Sequence, residues 1–260
     1  MLLVAPFVVL NVVIGMVTCI TLLERKFAAR MQSRIGPYRV GPHGLLQPIA
    51  DALKLMMKED IVPAAADRRI YNLAPIVFLI PCMLIFATIP FAPGLGVGDV
   101  NIGISVLPRR VRDGNRRACS WPGWGSNNKY ALLSRDARGQ PDHLLRSAVH
   151  LLRARAGAPD RIAPDVRHRG RAAGQPAQWF IFYPVIGQLS FIMFIVSTLA
   201  AENRVPFDIL EAESELVAGF RVECSGMKFA LIQLGEYAHM IGSSFLGALL
   251  FMRRVVGTRP

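Results

Sequence analysis

Four apolar stretches, 2–23, 73–91, 179–201 and 229–252, each come close to the twenty or so residues that a helix needs to cross a bilayer. Inside lipid every backbone N–H and C=O must find its partner within the protein, which leaves helices or a closed barrel. Runs of this length select helices. The fold class expected is therefore all-α, a polytopic transmembrane helix bundle. Apolar residues make up 52% of the 260, and the mean hydropathy of +0.36 agrees with a membrane protein.

The first run contains a single polar amide, Asn11, with no basic region before it and no small-x-small site after it. It is expected to be a transmembrane helix and not a signal peptide. Arg25, Lys26, Arg30, Arg34 and Arg39 follow closely, which makes that end cytoplasmic and puts the N-terminus outside. Residues 35–43 form a loop built on two Gly-Pro pairs. Over 44–58, Leu45, Leu46, Ile49, Leu53, Met56 and Met57 share one helical face, and Gln47, Asp51, Lys54 and Lys58 lie off it. Such a helix is too short to span. It belongs in the interface or against a partner, with a packed surface helix as the plain alternative. The second run carries Pro75, Pro81 and Pro90 and leads outward into a Gly-rich loop at 92–103.

Where the third run ends, five acids fall within fourteen positions: Glu202, Asp208, Glu211, Glu213 and Glu215, with Arg204 among them. Such a cluster is either a solvated loop or a proton-handling site, since ionisable groups at the membrane are expensive and functional by default. The fourth run carries Gln233, Glu236 and His239 at spacings of three, one stripe expected to face the bundle interior. Cys19, Cys82, Cys119 and Cys224 share no ligand spacing, so neither a metal site nor a disulfide frame is expected.

The net charge of +12 is concentrated in one segment. Residues 108–176 hold fourteen Arg and Lys129 against five Asp, and no apolar run there reaches half a membrane. A disordered basic arm binding nucleic acid or anionic lipid, a soluble insertion, and translation in a shifted reading frame of GC-rich DNA all fit that composition. Topology separates them. The second run ends outside, and the third must begin outside for its acidic end to be cytoplasmic, so zero or two crossings lie between. Zero would leave a strongly basic segment on the outer face, against the positive-inside rule. Two lost helices fit better. The chain then divides into a first membrane part (1–104), an Arg-rich segment out of frame and disordered (105–178), a second membrane part (179–252) and an aberrant tail (253–260) that looks like a second break before an early stop.

Several strings together resemble one family. They are ERKFAARMQSRIGPYRVGP at 24–42, LQPIADALKL at 46–55, KEDIVP at 58–63, GWGSNNKYALL at 123–133, ENRVPFD at 202–208, EAESELVAG at 211–219 and SGMKFA at 225–230. In order and spacing they are similar to the H subunit of bacterial NADH-quinone oxidoreductase, a membrane subunit of respiratory complex I bordering the quinone chamber. The likeness covers roughly 1–107 and 177–251 plus the island at 123–133. That family has two transmembrane helices where 105–122 and 135–178 stand.

The resemblance implies a subunit that shapes a quinone-access tunnel and couples quinone reduction to proton translocation. Quinone would be its substrate. Flavin, iron–sulfur clusters and metals would sit elsewhere, and the chain alone would have no activity. Partners would be the soluble redox subunits, other membrane subunits and the bilayer, with no nucleic acid, in the bacterial inner membrane. Proton coupling would fall to Glu202, Glu211, Glu213, Glu215 and Glu236, because crowded and buried carboxylates shift their proton affinity when a nearby charge changes. Glu24, Arg25, Arg34, Arg204, Phe207 and Asp208 would line the quinone chamber, with Arg204 pairing one of the loop acids and Arg25 supplying charge at the tunnel mouth. Asp51, Asp60 and Asp67 are lesser candidates. Cys224 stands where the family usually has Tyr. The family's acids on the two missing helices have no counterpart, so the chain as written is expected not to support pumping. A membrane subunit of an energy-converting hydrogenase, and a transporter or channel, remain the alternative functions.

Overall fold

The computed structural model describes residues 4–89, 124–137, 179–182, 185–202, 204–208, 217 and 219–252. In chain order these hold α1 (Val4–Met31), a 3₁₀ turn (Pro42–Gly44), α2 (Gln47–Met57), α3 (Arg68–Thr88), α4 (Lys129–Ala137), a 3₁₀ turn (Phe180–Phe182), α5 (Ile186–Ala201), a 3₁₀ turn (Gly219–Arg221) and α6 (Gly226–Phe251). Two stretches, Phe7–Met31 and Arg68–Phe86, are long and apolar enough to cross a membrane, and Gly187–Ala200 is a shorter apolar helix.

Three boundaries differ from the apolar pattern. The first helix does not stop with its apolar run but continues to Met31, so Arg25, Lys26 and Arg30 ride on α1 and not in a loop. Hydropathy marks where a helix leaves lipid, whereas the helix itself ends only where its hydrogen-bond ladder breaks. The third run is not one helix. Val185 takes φ 64°, and only Ile186–Ala201 is α-helical, about 24 Å at 1.5 Å per residue and short of the ~30 Å hydrocarbon core. The amphipathic helix begins at Gln47, after the turn closed by Gly44 at φ 77°, where a Cβ would sit 2.2 Å from the Pro37 carbonyl oxygen.

The helix α6 is the hub, packing most extensively on α3 and also on α1, α2 and α5. Val13 and Val17 of α1, Phe78, Cys82, Ile85 and Phe86 of α3, and Ile232, Tyr237, Ala238 and Ile241 of α6 form the main core. Close approach rests on glycine. A Cβ at Gly235 would stand 2.6 Å from the Phe78 ring and one at Gly242 2.7 Å from Ile85 Cγ2, a spacing of seven along the α3 side of α6. A second cluster joins α5 to the end of α6 through Phe194 and Phe251, with Phe191 against them.

Two polar groups of α1 are satisfied within the helix. Asn11 Nδ2 donates to the Phe7 carbonyl (2.8 Å) and Thr18 Oγ1 to that of Ile14 (2.8 Å), so the lone amide of α1 needs no partner helix. Asp67 caps α3 by accepting from the backbone N–H of Arg69 (3.1 Å) and Ile70 (3.4 Å). Pro75 and Pro81 lie inside α3, as the sequence implies. The apolar face of α2 is not covered by the described residues: Ile49, Leu53, Met56 and Met57 are all exposed. The 124–137 segment docks on the start of α3, with the Asp67 N–H donating to the Gly125 carbonyl (2.9 Å).

Candidate functional site

A row of polar side chains runs along α6, and each draws a charged group from another element. At its start Lys228 pairs with Asp60 (2.8 Å) and lies 4.3 Å from the centre of the Tyr71 ring. The Tyr71 hydroxyl donates to the Glu223 carbonyl, and Asn128 Nδ2 donates to the Glu223 carboxylate (2.9 Å). This ties α3, the 124–137 segment and the loop before α6 into one end of the bundle. Cys224 lies in that loop. Burial pushes its thiol up to about 11, although Lys228 and Arg221 pull the other way.

Two turns along, Arg221 forms an ion pair with Glu236, and its other nitrogen donates to Gln233 (3.2 Å). Both side chains of the pair are largely buried, 14% and 13% exposed. The second Glu236 carboxylate oxygen is buried with no hydrogen-bond partner among the described residues. A pair so placed neutralises two charges that neither partner could carry into the bundle alone.

The next residue, Tyr237, points to α1. Its hydroxyl donates to Glu24 (2.6 Å), Arg204 donates to the other Glu24 oxygen (3.2 Å), and the Arg204 guanidinium lies 4.8 Å from the centre of the Tyr237 ring. Glu24 and Arg204 are 48% and 31% exposed, so this pair lies at the rim. Deepest is Glu202, which caps α5 with its N–H donating to Thr198 O (3.0 Å). Ser243 donates to its carboxylate, and His239 Nδ1 lies 3.7 Å from the same oxygen. The Glu202 and His239 side chains are 5% and 10% exposed.

The stripe expected on α6 is therefore present: Gln233 and Glu236 meet Arg221, and His239 meets Glu202. Of the expected chamber residues, Glu24 and Arg204 come together, and Phe207 follows at once, its N–H on the Arg204 carbonyl (2.8 Å). Asp208 beside it is half-buried. Arg25 is committed to Asp51 of α2, and Arg34 donates to Gln32 (2.7 Å), so neither stands with the α6 groups as expected. The long Arg25 side chain simply has a nearer carboxylate. Glu211, Glu213 and Glu215 lie outside the described residues, as does any pairing of theirs with Arg204. Of the lesser candidates, Asp51 joins α2 to α1, Asp60 holds Lys228 and Asp67 caps α3.

Tyr237, Ser243 and Arg221 are site residues that the sequence did not point to. Tyr237 and Ser243 carried a weak signal, being polar on the same helix, but Arg221 could be matched to Glu236 only once the turn at Gly219–Arg221 was placed. Beside the polar row, an apolar groove of about 720 Å³ opens between α1 and α6, lined by Val12, Gly15, Met16, Ile20, Ile241 and Phe245 among others. Its size is that of a small-molecule pocket. Among the described residues no three His, Cys, Asp or Glu side chains gather to hold a metal ion.

Comparison with known proteins adds an independent line. The family model described as NADH dehydrogenase matches residues 4–138 and 162–257, running into the Arg-rich segment from both sides. The H subunit of NADH-quinone oxidoreductase from Dehalococcoides mccartyi (strain CBDB1) is 40% identical over 232 residues, 88% of this chain and 63% of that protein. The H subunit from Geobacillus kaustophilus is 39% identical over 244 residues, 94% of this chain and 71% of its own length. An H subunit of NADH-quinone oxidoreductase from Koribacter versatilis is 39% identical over 246 residues, 91% of this chain and 57% of its own. The chain spans about three fifths of the length of the Dehalococcoides and Koribacter relatives.

Proposed function

The chain belongs to the NADH dehydrogenase family, and on that premise we propose that it is the membrane subunit of a proton-translocating NADH-quinone oxidoreductase that forms part of the quinone chamber. In this reading it lies in the bacterial inner membrane with the N-terminus outside and the acidic loop cytoplasmic. It crosses the membrane more than once, works only with soluble redox and membrane partner subunits, and carries none of the redox centres itself.

One observation carries the proposal: charged side chains are drawn into an apolar helix bundle as neutralised groups, Glu236 on Arg221 and Glu202 on His239 and Ser243, beside an apolar groove. Buried ionisable groups in a membrane protein are costly and mark ion or proton paths. The groove between α1 and α6 suits the lipophilic tail of a quinone. Glu24, Tyr237 and Arg204 at the rim offer hydrogen bonds for its headgroup. Charge appearing on a quinone there would shift the proton affinity of the carboxylates behind it, which is the physical content of coupling.

A photoreactive quinone with an isoprenoid tail, added to membranes containing the assembled chain, tests this. Labelling is expected within 12–24 or 237–248 and is displaced by excess unlabelled quinone. Labelling that excess quinone leaves undiminished, or that falls wholly elsewhere on the chain, overturns the proposal.

The reading-frame account of 105–178 belongs to the same proposal. Sequencing the DNA across codons 104–178 should reveal another frame encoding two apolar runs of about twenty residues. If no frame does, the Arg-rich segment is a genuine insertion.

A further inference from the structure

Around Glu202 the hydrogen bonds admit two assignments of protons. Ser243 Oγ has one proton, yet it lies within hydrogen-bond reach of two oxygens, the Glu202 carboxylate and the Met240 carbonyl (2.8 Å). The Met240 carbonyl can only accept, and it also receives the Ser244 hydroxyl (2.8 Å). Two arrangements satisfy the site. With Glu202 ionised, Ser243 turns its proton to the carboxylate and leaves Met240 to Ser244. With Glu202 protonated, the acid donates to Ser243, which in turn donates to Met240. The hydroxyl therefore fits either charge state at no loss of hydrogen bonds.

The oxygen that meets Ser243 is also the one that faces His239 Nδ1 at 3.7 Å. Both side chains are buried, so a lone carboxylate or a lone imidazolium there would go uncompensated. The two arrangements that avoid a net charge are Glu–COOH with neutral imidazole, and carboxylate with imidazolium. They differ only in which member carries one proton.

We propose that Glu202 and His239 form a proton-holding pair that keeps one exchangeable proton between them inside the bundle, with Ser243 as the hydroxyl that adapts to either location. In the transfer an O–H bond at the Glu202 carboxyl breaks and an N–H bond at His239 Nδ1 forms, with no electrons exchanged. It requires a small side-chain rotation to bring 3.7 Å down to the ~2.9 Å of a hydrogen bond. That the proton travels onward in quinone-linked transport rests on the function proposed above, whereas the pair itself does not.

Among the described residues, the titratable groups beside the α6 row have partners other than His239 or line the groove. Glu24 of α1 is held by Tyr237 and Arg204, Glu236 by Arg221, and Lys228 by Asp60. Asp51 on α2 pairs with Arg25. The Cys82 thiol of α3 donates to the Phe78 carbonyl (3.4 Å), and Cys19 of α1 lines the apolar groove. Glu202 is the carboxylate that reaches His239.

The test is infrared spectroscopy of the full chain in lipid nanodiscs at pH 7, with ¹³C-labelled Glu, reading the carbonyl stretch of protonated carboxyl groups. Glu202→Gln should remove one such band and so identify it. In His239→Asn the ratio of protonated to ionised Glu202 should rise at least tenfold, because the carboxylate loses the cation that balances it. A role for His239 in packing alone would leave that ratio unchanged, and an unchanged ratio overturns the pair. A band set unaltered by Glu202→Gln in both the wild-type and the His239→Asn background overturns it equally. Should Glu202→Gln fail to insert, Glu202→Asp keeps a carboxyl at the site but takes its band out of the ¹³C-shifted set, because the Asp carries no label. Photoreactive-quinone labelling of the same nanodiscs separates the two claims. Displaceable labelling without the His239 effect refutes the pair alone, and the His239 effect without displaceable labelling refutes the quinone reading alone.

Discussion

Replacing Arg221 by Met isolates what the buried ion pair contributes. The substitution keeps an apolar stem beside Phe229 but leaves the Glu236 carboxylate 13% exposed and unpaired. Breaking a buried pair typically costs about 3–5 kcal/mol. Here the cost has a ceiling, because Glu236 can escape by taking up a proton. For a carboxyl that titrates near ~4.3 when unfolded, protonation at pH 7 costs about 3.7 kcal/mol, and this falls by about 1.4 kcal/mol for each pH unit below 7. The loss of the hydrogen bond to Gln233 adds about 1 kcal/mol that does not vary with pH. The sign follows: in the variant the folded state binds the proton more tightly than the unfolded one, so its stability is greatest at low pH and is lost as pH rises. Arg221→Met should therefore destabilise by roughly 5 kcal/mol at pH 7 and roughly 2 kcal/mol at pH 5. Reversible unfolding in mixed micelles, followed by far-ultraviolet circular dichroism, measures both. Adding Glu236→Gln to the variant should recover most of the pH-7 loss. Equal losses at pH 5 and pH 7, or none at either, would refute the neutralised-pair account of this helix.

Three further expectations follow from the packing. Gly235→Ala puts a Cβ 2.6 Å from the Phe78 ring, so it should cost about 1–3 kcal/mol in the same unfolding assay, and Phe78→Leu should recover part of that. Asp67→Ala removes the side chain that accepts from two N–H groups at the start of α3 and should cost ~1 kcal/mol, with Asp67→Asn close to wild type in thermal unfolding. The Cys224 thiol, held at about 11, should be alkylated by iodoacetamide at pH 8 roughly a hundredfold more slowly than a free thiol in solution, and at the solution rate once the chain is unfolded, as followed by mass spectrometry.

Much of the helical layout was legible because apolar runs and polar stripes are local properties. The periodicity of 233, 236 and 239 identified the inward face of α6, and the two-faced 44–58 segment identified α2. The pairings were not legible, since they depend on how helices approach one another. The exit of α5 brings Arg204 to Glu24 on α1, far away in the chain, and no local pattern announces that contact. Arg25 sits next to Glu24 in sequence, yet on a helix adjacent residues diverge, and it reaches Asp51 instead. Apolar composition also masked the break before α5, which Pro184 signals, whereas the positive φ at Val185 has no local signal such as Gly or Asn. Within the Arg-rich segment stands the 123–133 string, and from here the chain docks on α3 and Glu223.

The most direct measurement is quinone-linked proton uptake by the assembled oxidoreductase in vesicles, with this chain supplying the membrane subunit. As written, the chain should support none. With residues 105–178, and everything from 253 onward, replaced by the matching segments of the Geobacillus relative, uptake should appear, and adding Glu236→Gln should reduce it at least tenfold. Normal uptake by the unaltered chain, or undiminished uptake by the Glu236→Gln form of the repaired one, would contradict the account.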